Sequence, residues 1–539
     1  MAVTKGKVEA SESLERNSDW MSQELGIDRS FDVIRRDLSI ADRKAALFFV
    51  DGFAKDQIME RILTTFAMLE PQDLSPLVLK KLFHRYLAYI EVETTDDLHE
   101  AVDKVLAGPL ALVIDGIDQI IVIDAREYPV RSPQEPELEK VVRGSRDGFV
   151  ETIVFNTALI RRRIRDPKLR MEMMSVGRRS KTDLCVSYIE DIANDNLVEM
   201  IKEKIEQIDI DGIPMAEKSV EELIAPGSYW NPLPRVRYTE RPDVAAAHLL
   251  EGHVLIIVDT SPSIIILPST LWHHLQHAEE YRQSLLVGVF IRLLRYAAVL
   301  FSVFLMPVWL LFATHPQYLP ESLKFIGISK PGAIGLPAQF ILAELGVNLM
   351  RMAAIHTPAS LTTALGLIAA VLIGDIAISV GLFSPEVVLY TAISAVSIFA
   401  TPSSELGQAN TLFRLGLIIS VAAFGLPGFA GAVVLMCLLL VGTKSFGVPY
   451  LWPLIPFKFS AFKDILIRPP VPKQNLRAFA GPSKDRKRQA SPVRAAAKPL
   501  FQGKGAQQEE SNAENNDKQI KAKSHNSRHR KRRERKKVC

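Results

Sequence analysis

Cysteine is scarce in this sequence and widely scattered. Of 539 residues only Cys185, Cys437 and Cys539 are cysteine, too few and too far apart for a disulfide framework or a cysteine-ligated zinc site. The first twenty residues have no apolar core after their lysines, so they do not resemble a signal peptide. Both absences predict that the N-terminal half of the chain stays in the reducing cytoplasm.

Motifs of the common catalytic classes are also missing. The sequence contains no Walker phosphate-binding loop, no HExxH zinc-protease motif and no nucleophile elbow. His273 and His277 are spaced i, i+4, as a metal-binding pair would be, but no third ligand lies near them. We therefore predict no catalytic residues, no cofactor and no metal. Residues 269–283 are expected to form one amphipathic helix at a membrane surface.

Charge is sparsest in the second half of the chain. Between residues 359 and 443 the formal charges are Asp375, Glu386, Glu405 and Arg414. Four apolar segments have, or nearly have, the length of roughly 20 residues that is needed to span a bilayer. They are residues 294–313, 360–383, 387–400 and 415–442. Because a charge at bilayer depth is costly, this pattern predicts an α-helical polytopic membrane domain over residues 285–457.

Two segments leave the number of crossings open, and we expect four to six. Residues 339–355 are apolar on most faces but carry Glu344, Asn348 and Arg351 on one stripe. The sequence GLPG at residues 425–428 either divides the last apolar run into two crossings or kinks a single one. If the soluble region and the tail lie on the same side of the membrane, the number of crossings is even.

The N-terminal half alternates helix-like and strand-like segments, which predicts an α/β soluble region of two subdomains. Residues 1–36 are expected to be a flexible N-terminus. The first subdomain spans residues 37–130 and ends in a hairpin signal, PLALVID and QIIVIDARE around a DGID turn. The second spans residues 149–268. The charged, proline-containing connection between them predicts a hinge.

The C-terminal segment, residues 473–539, is strongly basic and has no hydrophobic periodicity. It holds 20 Lys and Arg against 6 Asp and Glu, a net charge of +14, so the rest of the chain carries −10 within a total of +4. This composition predicts a disordered basic tail. A solvated anchor on the cytoplasmic side is favoured, and contact with anionic membrane lipid or with nucleic acid is the alternative.

Polar groups at membrane depth are the candidate functional residues, because an unpaired charge there tends to face a pore, a cavity or a partner. Asp375, with Ser379 one turn on, is the first candidate, with structural pairing as the equal alternative. Glu344 is predicted to pair with Arg351. The remaining candidates are Asn348 on the same stripe, and Asn410 with Arg414 at the mouth of a path between spans. For Glu386, Glu405 and Arg414 a position at helix ends among the headgroups is favoured over a pore.

One motif resembles a known family. The stretch EPELEKVVRGSRDGFVETIVFNTALIRRRI, residues 135–164, resembles the EPxxExxxxGxxxGFxExxxxNxxLIRxRI signature of the A subunits of bacterial spore germinant receptors, the GerA family. Residues 241–268, the sequence GLFSPEVV at 381–388 and the order of soluble region, membrane domain and tail are similar to that family too. The opening and exit segments resemble one branch in particular, from which the long basic tail departs. The matched positions, for which we favour buried structural roles and subunit contacts over ligand binding, are Glu135, Gly148, Glu151, Asn156, Arg161 and Arg163.

The resemblance implies a protein of the bacterial spore inner membrane that acts in germination beside other germination membrane proteins. It also implies that such subunits assemble as homo-oligomers, pentamers among them, around an ion-conducting pore. The first hypothesis is therefore an oligomeric ion-channel subunit that releases ions across this membrane. The alternative is a non-conducting scaffold that docks germination proteins through its soluble region. A secondary transporter is disfavoured, because no inverted repeat of broken helices is evident.

Overall fold

The computed structural model describes residues 6–54, 56–74, 78–87, 91–126, 139–225, 227, 229–319, 321–356, 376–470 and seven later positions, 474, 476, 477, 484, 485, 487 and 488. Met1–Pro469 with Arg477–Arg486 form one compact unit. Glu135, Asp375 and most of the predicted tail lie outside the described residues, so the predictions made for them stay predictions.

Two five-stranded sheets form the soluble region, and every strand pair in them is antiparallel. The first has the order β1-β2-β4-β5-β3, with β1 Val33–Ile40, β2 Arg43–Val50, β3 Val92–Thr95, β4 Leu110–Ile114 and β5 Ile120–Ile123. The second has the order β6-β7-β9-β10-β8, with β6 Leu169–Val176, β7 Thr182–Ile189, β8 Arg237–Thr239, β9 Val254–Val258 and β10 Ile264–Leu267. The predicted hairpin is confirmed as β4 and β5.

Helices cover both faces of each sheet. The first sheet carries α1 Leu14–Leu25, α2 Asp56–Ala67, α3 Pro71–Leu74, α4 Val78–Lys81 and α5 Leu98–Ala107, and the second carries α6 Ile153–Arg163, α7 Asp195–Glu206, α8 Ala216–Ile224 and α9 Pro242–Glu251. Alternate residues of a strand face opposite sides. In β2, Phe48 therefore packs in the core beneath α1 and α5, whereas Leu47 packs in the core beneath α2. The α/β expectation is confirmed.

The two sheets are structural repeats, a feature that the sequence interpretation missed. Residues 95–124 align without a gap with residues 239–268. The equivalent carboxylates Asp115 and Asp259 accept hydrogen bonds from the first backbone N–H of the helix that precedes each sheet, at Leu14 (3.2 Å) and Ile153 (3.1 Å). The same local structure therefore begins each half of the soluble region.

The expectation of a flexible N-terminus over residues 1–36 is wrong, because this stretch contains α1 and the start of β1. The Ser13 hydroxyl accepts a hydrogen bond from the backbone N–H of Arg16 and starts α1, and Gly26 ends it in the left-handed conformation. Met21 and Leu25 are buried against the first sheet. The exposed face of α1 is polar, and that polarity masked the short apolar stripe in the sequence.

The two halves of the soluble region are joined by a buried ion pair. Arg161 of α6 contacts Asp32 just before β1 through two hydrogen bonds, of 2.7 and 3.0 Å. Residues 139–149 of the expected hinge are not a free linker, because the Glu139 carboxylate accepts hydrogen bonds from Arg237 (3.3 Å) and Thr239 (2.5 Å) of β8. That segment is part of the second half, and the remainder of the expected hinge lies outside the described residues.

The C-terminal half of the described chain is helical. Its helices are α10 Leu271–Leu275, α11 Glu279–Arg282, α12 Leu285–Thr314, α13 Leu336–His356, α14 Ala377–Ser379, α15 Pro385–Phe399, α16 Ser404–Gly442 and α17 Phe459–Leu466. Among the described residues, α12 and α16 are long and apolar enough to cross a membrane, and α15 is a shorter apolar helix. The single lead-in helix expected over residues 269–283 is wrong, since α10 and α11 are separate short helices.

Helix α16 doubles back on itself at Gly425. This glycine has φ 60° and ψ −134°, which is not helical, and a Cβ added here would lie 3.0 Å from the His315 ring at the end of α12. Both arms return to the soluble region, because Leu406 and Leu439 belong to the same apolar cluster as Leu275 of α10. The glycine-proline break thus separates two antiparallel arms, rather than kinking one continuous helix.

Candidate functional site

Polar side chains from three apolar helices meet halfway along the bundle. Arg414 of α16 lies within 2.6 Å of a carboxylate oxygen of Glu344 on α13, and both side chains are almost fully buried. Asn348 donates to the same carboxylate oxygen at 2.9 Å. Arg414 also donates to the backbone carbonyl of Ser302 on α12, and Asn410 contacts the Ser302 hydroxyl at 3.3 Å. These five residues are called the mid-bundle network.

Helical periodicity explains how the network assembles. Glu344 and Asn348 are one turn apart on α13, and Asn410 and Arg414 are one turn apart on α16, so each pair faces the neighbouring helices. Pro307 of α12 has no backbone N–H, so the Val303 carbonyl receives no helical hydrogen bond from it. The neighbouring Ser302 carbonyl is the one that accepts from Arg414. Apolar side chains that include Met306, Phe340 and Ile418 pack beyond the network towards the far end of the bundle.

The structure corrects two predictions about these residues. Glu344 pairs with Arg414 and not with Arg351, because seven residues of helix separate Glu344 from Arg351 by about 10 Å. The Arg351 guanidinium lies 5.5 Å from the centre of the Phe399 ring instead. Arg414 does not sit at a helix end among headgroups but halfway along the first arm of α16. Ser379 is exposed and hydrogen-bonds locally to the Ile376 carbonyl.

A second buried network joins the soluble region to the membrane helices. The Glu280 carboxylate, which is fully buried, contacts Arg292 and Arg295 of α12, the latter at 2.7 Å. Arg292 also donates to the backbone carbonyl of Ile465 in α17 at 2.8 Å, and Arg468 donates to the backbone carbonyl of Glu280 at 2.7 Å. These residues are called the Glu280 junction.

Close backbone contact accompanies the junction. A side chain at Gly288 would meet the Glu280 carbonyl at 2.5 Å, so the first turn of α12 can lie against α11 only with glycine there. The sequence interpretation missed this junction. Its available signal was the pair of arginines, Arg292 and Arg295, inside an otherwise apolar helix, where an unpaired charge would be costly.

Three histidine rings cluster where the end of α9 meets α10. His248 and His253 have ring centres 5.0 Å apart, and each lies within 5.7 Å of the His273 ring centre. Burial lowers the pKa of His253 to about 3 and lowers the pKa of His248 and His273 well below the usual value. The described residues contain no group of three or more side chains placed to hold a metal ion. His273 therefore belongs to a packed neutral cluster.

The family-motif residues form contacts within the soluble region. Asn156 is fully buried and bonds both the N–H and the carbonyl of Val150, at 2.8 and 2.5 Å, as Asn17 does with Ser11 in the first repeat. Arg163 contacts Asp147 at 2.5 Å. Gly148 is buried, whereas the side chain of Glu151 is exposed and its backbone carbonyl accepts from Thr260 at 2.7 Å.

Comparison with known proteins places these features in a family. The family model of the Bacillus/Clostridium GerA spore germination protein matches residues 19–479. The chain belongs to the GerA family. The resemblance drawn from the signature is thereby confirmed, and the protein is a membrane-associated member of a spore germination family.

Members of the GerA family similar to this chain include two proteins of Bacillus subtilis (strain 168). Stage V sporulation protein AF is 48% identical over 474 residues, which cover 88% of this chain and 96% of that protein. Spore germination protein KA is 29% identical, with 85% of each chain covered. Stage V sporulation protein AF represents the branch that the opening and exit segments resemble.

A solved structure also matches. The N-terminal domain of the A subunit of the Bacillus megaterium spore germinant receptor GerK3 is 26% identical, and the match covers 49% of this chain and 97% of that one with a TM-score of 0.39.

Removing one partner of the mid-bundle ion pair should destabilise the protein strongly. Glu344→Ala leaves the Arg414 charge buried without its carboxylate, which costs about 3–5 kcal/mol. The double variant Glu344→Leu/Arg414→Leu removes both charges and should recover most of that loss. Unfolding of the full chain in detergent micelles measures both, with Lys444→Ala on the surface as the matched control. If the single and double variants are equally destabilised, the pair is not coupled as described.

Stability should fall on acidification because of the buried histidines. The folded pKa of His253 is about 3, below the usual value of about 6.5 for an unfolded histidine, so the unfolded chain takes up a proton first as the pH falls. The contribution of His253 to stability is therefore fully present well above pH 6.5 and is lost progressively below it, by about 1.4 kcal/mol at pH 5.5. Unfolding curves at pH 7.5 and 5.5 measure this loss. His253→Gln should show a smaller loss, and equal losses would contradict the assignment.

Proposed function

We propose that this chain is a subunit of a homo-oligomeric ion channel that acts in spore germination, with its soluble region governing the membrane helices. The mid-bundle network is the observation that carries this proposal. A buried ion pair adds little stability over well-packed apolar residues and is costly when broken. A helix bundle that served only as a tether has no need of one.

The membrane arrangement that fits best is multi-pass, with the soluble region in the cytoplasm, which in the spore is the core. Helix α12 is 30 residues long, about 45 Å, and runs away from the soluble region. The two arms of α16 go out and back. The starts of α13 and α15 meet at the far end, where Ser384 accepts from Gly332 at 3.1 Å and donates to Gln339 at 2.8 Å. With the predicted span at residues 360–383, the count is six crossings.

The beginning of the tail supports placement of the tail on the soluble side. Lys484 contacts Asp195 at 2.6 Å and the carbonyl of Glu190 at 3.0 Å, and Arg477 donates to the carbonyl of Leu250. All three acceptors belong to the second half of the soluble region. An even number of crossings, which a cytoplasmic soluble region and a cytoplasmic basic tail require, is consistent with these contacts.

The conducting path, in this proposal, runs between subunits. Within one chain Glu344 and Arg414 neutralise each other, and apolar side chains pack against the network, so the described bundle offers no continuous polar passage of its own. Large apolar side chains of α12, α13 and α16 are exposed along the bundle, including Phe290, Leu349 and Leu435. These faces are available to lipid and to neighbouring subunits. Asp375 remains the predicted acidic position of the pore.

A non-conducting scaffold is the second candidate, and the size of the duplicated soluble region is the observation that favours it. Its two sheets and their helices offer a large surface for docking other germination proteins. The two candidates differ in whether the purified protein passes ions.

Ion flux through proteoliposomes tests the proposal directly. The purified full-length protein should form oligomers that pass cations, and Asp375→Asn should reduce the cation flux by about tenfold if an acidic ring concentrates the ion. Glu386→Gln, at the start of α15 and bonded to Ser329, is the matched control and should leave the flux unchanged. A protein that remains monomeric and passes no ions would favour the scaffold.

A further inference from the structure

A cavity lies where the second sheet meets the membrane helices. Its volume is about 550 Å³, which is in the range of small-molecule sites. On the soluble side its lining includes Glu139, Arg237, Thr239, His273 and Gln276, and on the membrane side Arg351, Phe399, Thr401 and the turn from Ser403 to Gln408. The cavity is distinct from the mid-bundle network and from the Glu280 junction.

Two buried polar groups that line this cavity have no hydrogen-bond partner among the described residues. The Thr401 side chain is 7% exposed, and its hydroxyl is unsatisfied. The Nε and Nη2 atoms of Arg351 are also buried and unsatisfied, and the described contact of that guanidinium is with the Phe399 ring. The Arg351 side chain as a whole is partly exposed, but buried polar atoms in proteins are almost always paired. The arrangement therefore indicates a partner supplied from outside this part of the chain.

The groups around the cavity indicate the sign of the charge on that partner. Helix α16 begins at the cavity wall, with the Ser403 hydroxyl accepting from the Leu406 N–H at 3.3 Å. The N-terminus of a long helix carries partial positive charge and favours anions. An arginine guanidinium binds planar or tetrahedral oxyanions through two parallel hydrogen bonds. Both features point to an anion beside Arg351.

Carboxylates in the wall restrict which anion fits. Glu139 is already engaged by Arg237 and Thr239, and Glu405 accepts from Ser403 at 2.8 Å. Together with Glu240, which also lines the cavity, these carboxylates repel an anion, and the repulsion grows as the anion approaches them. Binding therefore requires direct, charge-assisted hydrogen bonds from Arg351 to a compact oxyanion.

We propose that this cavity binds a phosphate group through the Arg351 guanidinium, the Thr401 hydroxyl and the first turn of α16. The phosphate comes either from the free ion or from a phospholipid headgroup, since the cavity adjoins the ends of membrane helices. The bound group bridges the second sheet and the bundle. It is a ligand site separate from the conducting path proposed above.

Thermal unfolding of the full-length protein in detergent micelles tests the site. Inorganic phosphate, compared with chloride at equal ionic strength, should raise the melting temperature of the wild type in a saturable way. Arg351→Ala should weaken the apparent phosphate affinity by about tenfold or more, as expected for loss of charge-assisted hydrogen bonds. Arg351→Lys should retain part of the effect, which separates loss of charge from misfolding.

A second variant is expected to strengthen phosphate binding, which is the opposite of the effect of Arg351→Ala. Glu405→Gln removes a like charge from the wall and should strengthen phosphate binding, whereas Thr401→Val should weaken it. The source of the phosphate is tested in nanodiscs of phosphatidylcholine with and without phosphatidylglycerol. If a lipid headgroup fills the site, added inorganic phosphate should not raise the melting temperature. Native mass spectrometry should then find a lipid that the wild type retains and Arg351→Ala loses. The proposal is overturned if the wild type shows neither a phosphate-dependent rise in melting temperature nor a retained lipid. It is also overturned if the effect seen in the wild type is unchanged in Arg351→Ala.

Discussion

The structure depends most on one buried carboxylate, that of Glu280. It lies in a short helix between the duplicated soluble region and the first membrane helix, and it binds Arg292 and Arg295 of that helix. Arg292 also donates to backbone carbonyls of α17, so the adjacent helices α11 and α12 and the sequence-distant α17 meet at a single charge. Because a buried carboxylate without its partners would be strongly destabilising, these segments are held together as one unit. We therefore expect a movement of the soluble region to reach α12 through this junction.

The soluble region and the helical bundle, on either side of this junction, are packed in different ways. The soluble region is built twice from the same plan, with Asp115 and Asp259 starting equivalent helices and Arg161 with Asp32 joining the halves. The membrane bundle is apolar except for its mid-bundle network, where Glu344 and Arg414 are neutralised inside one chain. The first arrangement joins the two halves of the soluble region into one body. The second gives a bundle with one polar level, which is the level at which a small shift of α12 would alter charge contacts.

Much of the fold follows from the sequence, because periodicity is local. The hairpin of β4 and β5 was evident from strand-like segments around turn residues, and the apolar helices from sparse charge. The repeat was missed because residues 95–124 and 239–268 share few identical residues, although they align without a gap. The site was predicted in part: Glu344, Asn348 and Asn410 were candidates at membrane depth, whereas a position among the headgroups was favoured for Arg414. Their pairing was not predicted, because which helix face meets which depends on tertiary packing. The Glu280 junction escaped for the same reason.

Hydrogen–deuterium exchange on Glu280→Gln in lipid nanodiscs tests the central claim, that this carboxylate couples the soluble region to the membrane helices. The account predicts faster exchange together in Glu279–Arg282, in the first turns of Leu285–Thr314 and in Phe459–Leu466, with the strands of both sheets as protected as in the wild type. Faster exchange confined to Glu279–Arg282, with the other two segments unchanged, would contradict it.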